Sequence, residues 1–261
     1  MADRINGTFY KYRVLDENGR RMLSLREFFY SPPSKLNDPI DCYPYVTLDL
    51  DAKRTRQYID GLVRKTYPHA HGKGLQRFVS LATAQWRNEF TRSRMLYKEI
   101  DGITGVLSMS RGFDSAWQWS YYAGGHRGFC VAVRCGEGLT INPVYEMTYS
   151  SERSVIDMIR MLEDTTYQRE ELHLVLLRKS EAWKPEDEVR GLASPSGPHN
   201  VEPDEIVGVY LGTRMNEKQR DEVRALMKQG GLADVPVYQM KFDTKTYALN
   251  HERIVNWRQV L

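Results

Sequence analysis

The chain has 261 residues, of which 41% are apolar and 27% charged, a balance typical of a folded globular protein rather than a disordered one. Its net charge of +3 permits an anionic ligand but does not indicate a surface that follows a nucleic-acid backbone. No apolar run is long enough to span a membrane, and the first residues lack the apolar core of a signal peptide. Three cysteines without a Cys-x-x-Cys pair predict neither a disulfide framework nor a zinc site, so we expect a cytoplasmic protein.

The first half of the chain alternates between turn signals and apolar periodicity. Thr8–Leu15 is aromatic and β-branched, which predicts a strand. Ser31–Pro44 contains four prolines and is predicted to be a loop. Apolar residues three and four positions apart predict helices at about 51–67 and 75–96. We interpret the segment at about 51–98 as a helical insertion that packs on a sheet.

The second half of the chain is richer in strand signals. The predicted strands are Gly105–Ser110, Gly128–Arg134, Pro143–Tyr149, Asp187–Leu192, Ile206–Leu211 and Val235–Phe242. The predicted helices are Ser115–Tyr122, a helix over Val155–Leu162, a second run reaching Leu177, and Asn216–Gln229. Because helices separate these strands at irregular intervals, we predict one α+β domain over residues 1–261, with a central mixed or antiparallel sheet.

Cations and aromatic residues alternate on the first predicted strand. Tyr10 and Tyr12 are expected on one face, and Lys11 and Arg13 on the other. Such a cation pair can hold a phosphate. The pattern is more typical, however, of a half-buried edge strand that places its tyrosines in the core and its cations in solvent.

Small hydroxyl groups and large rings follow in the middle of the chain. Ser108 and Ser110 are two positions apart on a strand, so both hydroxyls face one side and can anchor a sugar or a carboxylate. Trp119 and Tyr122 lead into a glycine-rich stretch, where an aromatic ring can stack on a flat ligand. The alternative is a packed aromatic helix that ends at a glycine cap, with His126 hydrogen-bonded rather than bound to a metal.

Two carboxylates and an arginine are expected on one face of a late strand. Glu186 and Glu188 can bond a pair of ribose hydroxyls and stabilise positive charge at an anomeric carbon, while Arg190 keeps them ionised. Alternatively they form a solvent-exposed charged face, in which Glu188 adds at most about 1 kcal/mol to stability. Motifs of a Rossmann cofactor site, a P-loop, a zinc protease and an α/β-hydrolase are absent from the sequence.

Taken in order, these segments resemble an uncharacterised family of prokaryotic and phage domains. Its motifs are a Tyr-Lys-Tyr-Arg strand, an Asn-Asp-Pro-x-Asp loop, a Ser-x-Ser strand, a Trp-Ser-x-Tyr-Ala-x-x-His-x-Gly segment and a Trp-x-x-Glu-x-Glu-x-Arg strand. Here they are Tyr10–Arg13, Asn37–Asp41, Ser108–Ser110, Trp119–Gly128 and Trp183–Arg190.

The order arginine, Ser-x-Ser, Glu-x-Glu is also similar to the signature of the ADP-ribosyltransferases. That resemblance implies an ADP-ribosyltransferase-like fold, NAD as the substrate, no metal, and a protein or nucleic acid of unknown identity as the acceptor. It implies that Glu188 stabilises the oxocarbenium-like transition state and that Glu186 directs the acceptor. The residues implied in NAD binding are Arg13, Lys11, Tyr12, Ser108, Ser110, Trp119, Tyr122 and His126.

Three hypotheses on function follow. The first is an NAD-consuming ADP-ribosyltransferase or NAD glycohydrolase, acting as a toxin or in phage defence. The second is a non-enzymatic module of a defence system that binds a nucleotide or a protein. The third is a metal-dependent nuclease built on Asp38, Asp41 and Glu188.

The first hypothesis makes an architectural prediction. Arg13, Ser108 and Glu188 should line one cleft on adjacent strands, although they are far apart in the chain. Tyr122 and His126 should border the same cleft.

Overall fold

The computed structural model describes residues 4–48, 52–255 and 257. The strands are β1 (Gly7–Arg13), β2 (Glu27–Tyr30), β3 (Tyr45–Thr47), β4 (Gly105–Ser110), β5 (Phe129–Cys135), β6 (Val144–Glu146), β7 (Thr148–Ser150), β8 (Val155–Asp157), β9 (Arg178–Ser180), β10 (Glu188–Ala193), β11 (Gly197–Asn200), β12 (Ile206–Leu211), β13 (Val237–Phe242) and β14 (Leu249–Arg253). The helices are α1 (Glu17–Ser24), α2 (Ala52–Thr66), α3 (Gly72–Arg87), α4 (Glu89–Ile103), α5 (Ala116–Tyr121), α6 (Met158–Glu163), α7 (Thr165–Leu177) and α8 (Glu217–Gln229), with short 3₁₀ turns at Pro33–Lys35, Glu181–Glu186 and Pro203–Glu205.

An eight-stranded sheet organises the fold, with the strand order β14-β13-β12-β5-β1-β4-β10-β6. Its neighbouring strands are antiparallel except β12 and β13, which are parallel. Three small two-stranded sheets join β2 to β11, β3 to β8, and β7 to β9. The fold is therefore a mixture of helices and strands around one large mixed sheet, which confirms the coarse prediction of an α+β protein.

Neighbouring strands of this sheet differ in how many of their residues are paired. β1 pairs with β5 along its whole length, from Gly7 to Arg13, and β4 pairs with β10 over six residues. Between β1 and β4, however, only Tyr10 and Ser110 are paired. Beyond that pair β4 bonds instead with Ser31, whose N–H and C=O both bridge to Val106. The large sheet is thus open between the end of β1 and the beginning of β4.

Both faces of the sheet are covered. On one face, α1 and α8 place Met22 and Met227 in the same apolar cluster as Phe9 of β1. The other face carries a cluster that contains Tyr12 of β1 and Trp119 of α5. Phe9 and Tyr12 are three positions apart on β1, so the alternation of side chains along a strand places them on opposite faces of the sheet.

The helical insertion differs in detail from the prediction. α2 agrees closely with it, but the helix predicted at 75–96 is two helices, α3 and α4. Asn88 leaves the helical conformation (φ −79°, ψ 108°), and its side chain accepts a hydrogen bond from the N–H of Thr91 to cap α4. The apolar periodicity continues across this cap, which is why it did not reveal the break. α2 and α3 share a small core of their own, whereas α4 contributes Leu96 and Ile100 to a core beneath β4.

Three other predicted elements were wrong in part. The strand predicted at Pro143–Tyr149 is two strands, because β6 pairs with β10 and β7 pairs with β9. The helix predicted over Val155–Leu162 begins as β8, and the last predicted strand is followed by β14. The helix at Asn216–Gln229 is confirmed, with reciprocal capping bonds between Asn216 and Gln219.

Candidate functional site

A cavity of about 220 Å³ lies where the sheet opens between β1 and β4. It is lined by β1, β4, α5, the loop after β2, and the chain around the start of β10. The lining residues are Tyr10, Lys11, Tyr12, Arg13, Val14, Ser31, Lys35, Leu36, Asn37, Ser108, Met109, Ser110, Gln118, Tyr122, Lys179, Glu186 and Glu188.

The β1 wall of this cavity carries two cations. Lys11 Nζ reaches across the opening and donates to the carbonyl oxygen of Ser108 at 2.5 Å, where a continuous ladder would have placed a β1 amide. Burial, followed by the charge of Arg13, lowers the pKa of Lys11 to about 7. Arg13 has a buried Nε without a hydrogen-bond partner. Since a buried donor is nearly always paired in a folded protein, this wall is suited to an anionic ligand.

Tyr12 lies between these two cations in the sequence, but its side chain packs within the protein core. It is only 4% exposed, it packs edge-on against Trp119, and its hydroxyl donates to the carbonyl oxygen of Gly112 at 2.8 Å. Of the aromatic face expected beside the cations, Tyr12 is therefore held within the core, while Tyr10 is only partly buried.

Ser108 and Ser110, two positions apart on β4, make different hydrogen bonds. The hydroxyl of Ser110 donates to the carbonyl oxygen of Glu186 at 3.2 Å, and Gln118 Nε2 donates to the same oxygen at 2.7 Å. The backbone carbonyl oxygen of Ser108, in contrast, accepts the hydrogen bond from Lys11 Nζ. Ser110 and Gln118 thus fix the backbone that carries the first carboxylate.

Glu186 ends a 3₁₀ turn and is not part of a strand, since β10 begins only at Glu188. Between them Asp187 has a left-handed backbone (φ 45°), which turns the chain so that both glutamates face Lys179. The Glu186 carboxylate accepts hydrogen bonds from Lys179 Nζ and the hydroxyl of Tyr122. Burial raises the pKa of Glu186, although Lys179 and Tyr122 oppose this.

Glu188 lies in a buried network of charges. It accepts hydrogen bonds from Lys179 Nζ at 2.8 Å and from Arg190 Nε at 2.7 Å, and Arg190 Nη2 also donates to Asp41 at 2.5 Å. Burial alone would raise the pKa of Glu188, but Arg190 and Lys179 outweigh it and hold the pKa well below the usual range. The glutamate is 4% exposed and Arg190 is 0% exposed, so the alternative of a solvated strand face is wrong.

Trp119 and His126 do not line the cavity. Trp119 is fully buried and donates its indole N–H to the carbonyl oxygen of Phe113 at 2.7 Å, while the His126 ring lies nearly parallel to it at 6.1 Å between centroids. Gln118 of α5 and Tyr122, which caps its C-terminus, are one helical turn apart and line the cavity, whereas Trp119 lies on the core side. The expectation that His126 borders the cleft is therefore wrong.

The three strands that the architectural prediction joined are adjacent in the sheet, and Arg13, Ser108 and Glu188 line the same cavity. Tyr122 borders it as expected. Lys179, which contacts both glutamates, was missed. It lies on the three-residue strand β9 directly after a helix, where the sequence has no motif that marks it.

The acidic residues of the nuclease hypothesis are already paired within the protein. Asp38 accepts the indole N–H of Trp183 at 2.7 Å, and Asp41 and Glu188 share Arg190. Within residues 4–48, 52–255 and 257, no group of three His, Cys, Asp or Glu side chains is arranged to hold a metal ion. These contacts do not favour a metal-dependent nuclease.

In the described part of the chain, no helix is both long and apolar enough to span a membrane. Comparisons of the chain with protein-family models, with curated proteins and with solved structures gave no match.

Proposed function

We propose that the chain is an NAD-consuming enzyme of the ADP-ribosyltransferase kind, with a related fold and with its active site in the cavity between β1 and β4. The observation that carries the proposal is the meeting of Arg13, Ser108 and Glu188 at one cavity, from three neighbouring strands. The cavity has cations on one wall and carboxylates on the other, as an anionic ligand with a reacting sugar requires.

The cation wall supports binding of the dinucleotide phosphates. Arg13 Nε has no partner in the protein, Lys11 lies beside it, and the exposed Lys35 lies at the rim. The cavity volume of about 220 Å³ is below the roughly 300–1,000 Å³ of pockets that enclose drug-sized ligands. It therefore suits the nicotinamide-ribose end, with the remaining nucleotide extending past Lys35.

The carboxylate wall supports cleavage of the bond between nicotinamide and ribose. When that bond breaks, its electron pair moves to the ring nitrogen, so the cationic ring leaves as neutral nicotinamide and needs no proton. Positive charge develops on the sugar, and the ionised Glu188 stabilises it through a preorganised electrostatic contact. Water or an acceptor hydroxyl then attacks the anomeric carbon and gives its proton to Glu186, whose raised pKa suits a base.

The test is release of nicotinamide from NAD by the purified chain, with water alone and with cell extract as a source of acceptors. Glu188→Gln should lower the rate about 10²–10³-fold, which is typical for the loss of one preorganised electrostatic contact. Glu205→Gln is a matched control, because Glu205 is also buried but lies away from the cavity. No release by the wild type, or a full rate in Glu188→Gln, would refute the proposal.

A second variant separates chemistry from folding, since Glu188 is part of the buried charge network. Ser108→Ala removes only a hydroxyl at the cavity wall and leaves the carbonyl group that Lys11 contacts. It should keep the melting temperature of the wild type and lower kcat/KM about tenfold, the usual size of one lost hydrogen bond to a charged ligand.

One observation favours a nucleotide-binding module without turnover. Each glutamate of the carboxylate wall already accepts hydrogen bonds from two side chains of the protein, Glu186 from Lys179 and Tyr122, and Glu188 from Lys179 and Arg190. A module of this kind would bind NAD in calorimetry and lose binding in Arg13→Gln, yet release no nicotinamide.

A further inference from the structure

The positive charge of the chain is concentrated in the helical hairpin that α2 and α3 form. The segment Ala52–Arg87 contains eight lysines or arginines and one acidic residue, Asp60, which pairs with Arg64. Its net charge is therefore +7, whereas the whole chain carries +3, so the other residues together are net −4. None of the described hairpin residues lines the cavity between β1 and β4. A charge segregated in this way indicates an anionic partner other than the ligand of that cavity.

The excess is greatest where α2 passes into α3. Residues 61–88 contain no aspartate or glutamate. Lys65 lies in the last turn of α2, and Lys73 and Arg77 are one helical turn apart near the start of α3. All three side chains are exposed, and within the part of the chain that the structure describes none of them forms an ion pair. Their charge is therefore available to a partner.

Two aromatic rings lie at the same end of the hairpin. The rings of Tyr67 and Phe78 are parallel within 6°, and their centroids are 4.7 Å apart. Tyr67 is 48% exposed and Phe78 is 41% exposed, so they stack at the surface and not in the core that α2 and α3 share. These rings and the three cations together form a surface that we call the hairpin tip: Lys65, Tyr67, Lys73, Arg77 and Phe78.

The core of the hairpin determines the direction of these cations. Ile59 and Val63 of α2 belong to one buried apolar cluster with Leu75 and Val79 of α3. Leu75 and Val79 are one turn apart, and Arg77 is two positions from each, which places it on the opposite side of α3. The cation therefore points away from the core, and a partner can reach it without any unfolding of the hairpin.

We propose that the hairpin tip binds single-stranded nucleic acid. The cations contact backbone phosphates, and a base stacks on the paired rings of Tyr67 and Phe78. Proteins that bind single strands without sequence preference use this combination of positive charge and exposed rings. A duplex does not expose the faces of its bases to such rings. An anionic membrane suits the surface less well, because the apolar stripe of α3 packs against α2 and does not face outward.

The experiment measures binding of the full chain to a fluorescent single-stranded oligonucleotide of mixed sequence, in its DNA and RNA forms, at several salt concentrations. The double substitution Lys73→Gln and Arg77→Gln removes two phosphate contacts. It should make the plot of log affinity against log salt concentration shallower by about 1.4, since each contact with a single strand contributes about 0.7 to the slope.

A second variant tests stacking separately from charge. Tyr67→Leu with Phe78→Leu keeps apolar side chains at these exposed positions but removes both rings. It should weaken binding about tenfold, within the usual range for one stacked base, and leave the salt dependence unchanged. The wild type should also bind the single strand more tightly than the duplex of the same sequence.

The matched control is Lys218→Gln with Lys228→Gln, which removes the same charge from exposed positions of α8. It should keep the affinity and the salt dependence of the wild type. Circular dichroism checks the folding of all variants, and if the ring variant is unstable, the charge variant and its control decide the test. The proposal is overturned by no binding of either oligonucleotide at low salt, by equal losses in the tip and α8 charge variants, by duplex binding as tight as single-strand binding, or by binding of phosphatidylserine vesicles alone.

Discussion

On the β1 wall of the cavity between β1 and β4, Arg13 has a buried Nε–H without a partner, whereas on the opposite wall both glutamates accept hydrogen bonds from side chains of the fold. Lys11 is intermediate, since it makes one bond to a backbone carbonyl group. Each wall carries ionisable side chains, but those of the carboxylate wall are hydrogen-bonded to other side chains, whereas Arg13 keeps a donor without a partner.

This difference separates two consequences of mutation. Charges that are paired inside the protein stabilise the fold, and removing one of them leaves its partners buried and uncompensated. A charge that keeps an unpaired donor, as Arg13 does at Nε, contributes less to the fold and is available to a ligand. We therefore expect substitutions in the carboxylate network to lower stability, and substitutions of the β1 cations to lower affinity.

The largest effect is expected for Arg190→Met. Asp41 and Glu188 would keep Lys179 as their remaining buried cation, so the free energy of unfolding should fall by about 3–5 kcal/mol. Denaturant unfolding measures this change.

Arg64→Met is the control for Arg190→Met, because Arg64 forms an exposed ion pair with Asp60 within α2 and its removal should hardly alter stability. Similar losses in both variants would show that the buried network is not special.

The next effect is a pH dependence that comes from Lys11. Its pKa is lowered to about 7 from 10.5, so above pH 7 the unfolded chain binds more protons at this position than the folded chain. Stability due to Lys11 therefore rises with pH over this window, by up to about 1.4 kcal/mol per pH unit for one proton. Lys11→Met should lack this rise.

The measurement for Lys11 is the difference in unfolding free energy between wild type and Lys11→Met from pH 7 to 9. Burial raises the pKa of Cys42 from 9.0 to about 12, so Cys42 makes the unfolding free energy fall as the pH rises. Because both proteins contain Cys42, its contribution cancels when their unfolding free energies are subtracted. A difference that does not change with pH would mean that Lys11 is not held at a lowered pKa.

The smallest effect on the fold is expected for Arg13→Gln. It should leave the melting temperature nearly unchanged while it weakens NAD binding at least tenfold, as expected for a lost bond to a charged ligand. Calorimetry with NAD and thermal unfolding measure the two effects side by side. A large loss of stability with unchanged affinity would reverse the assignment of the two walls.

The elements that could be predicted are those determined by residues close together in the sequence. The bounds of β4 and the start of α8 were predicted from a short strand-like run and from a capping pattern, both of which act within a few residues. The shape of the cavity was not predictable, because it depends on Ser31 pairing with Val106 in place of β1. No local pattern encodes that choice.

The burial of Glu188 was unpredictable for the same reason. A Glu-x-Glu-x-Arg stretch has the composition of an exposed strand, and only the distant Lys179 and Asp41 make its burial possible. Likewise, Asn88 divides a helical pattern through one side-chain bond, although the apolar period across it is unbroken.

The single residue pair between β1 and β4 has a mechanical consequence. By hydrogen bonding, the eight strands form two half-sheets, β14 to β1 and β4 to β6, which meet at Tyr10 and Ser110. Beyond that pair, they are connected by Lys11 and by apolar contacts such as those among Phe9, Met109 and Val189. Side-chain contacts tolerate small rotations that a backbone ladder resists, so this line is where the sheet can hinge and change the width of the cavity without breaking a strand.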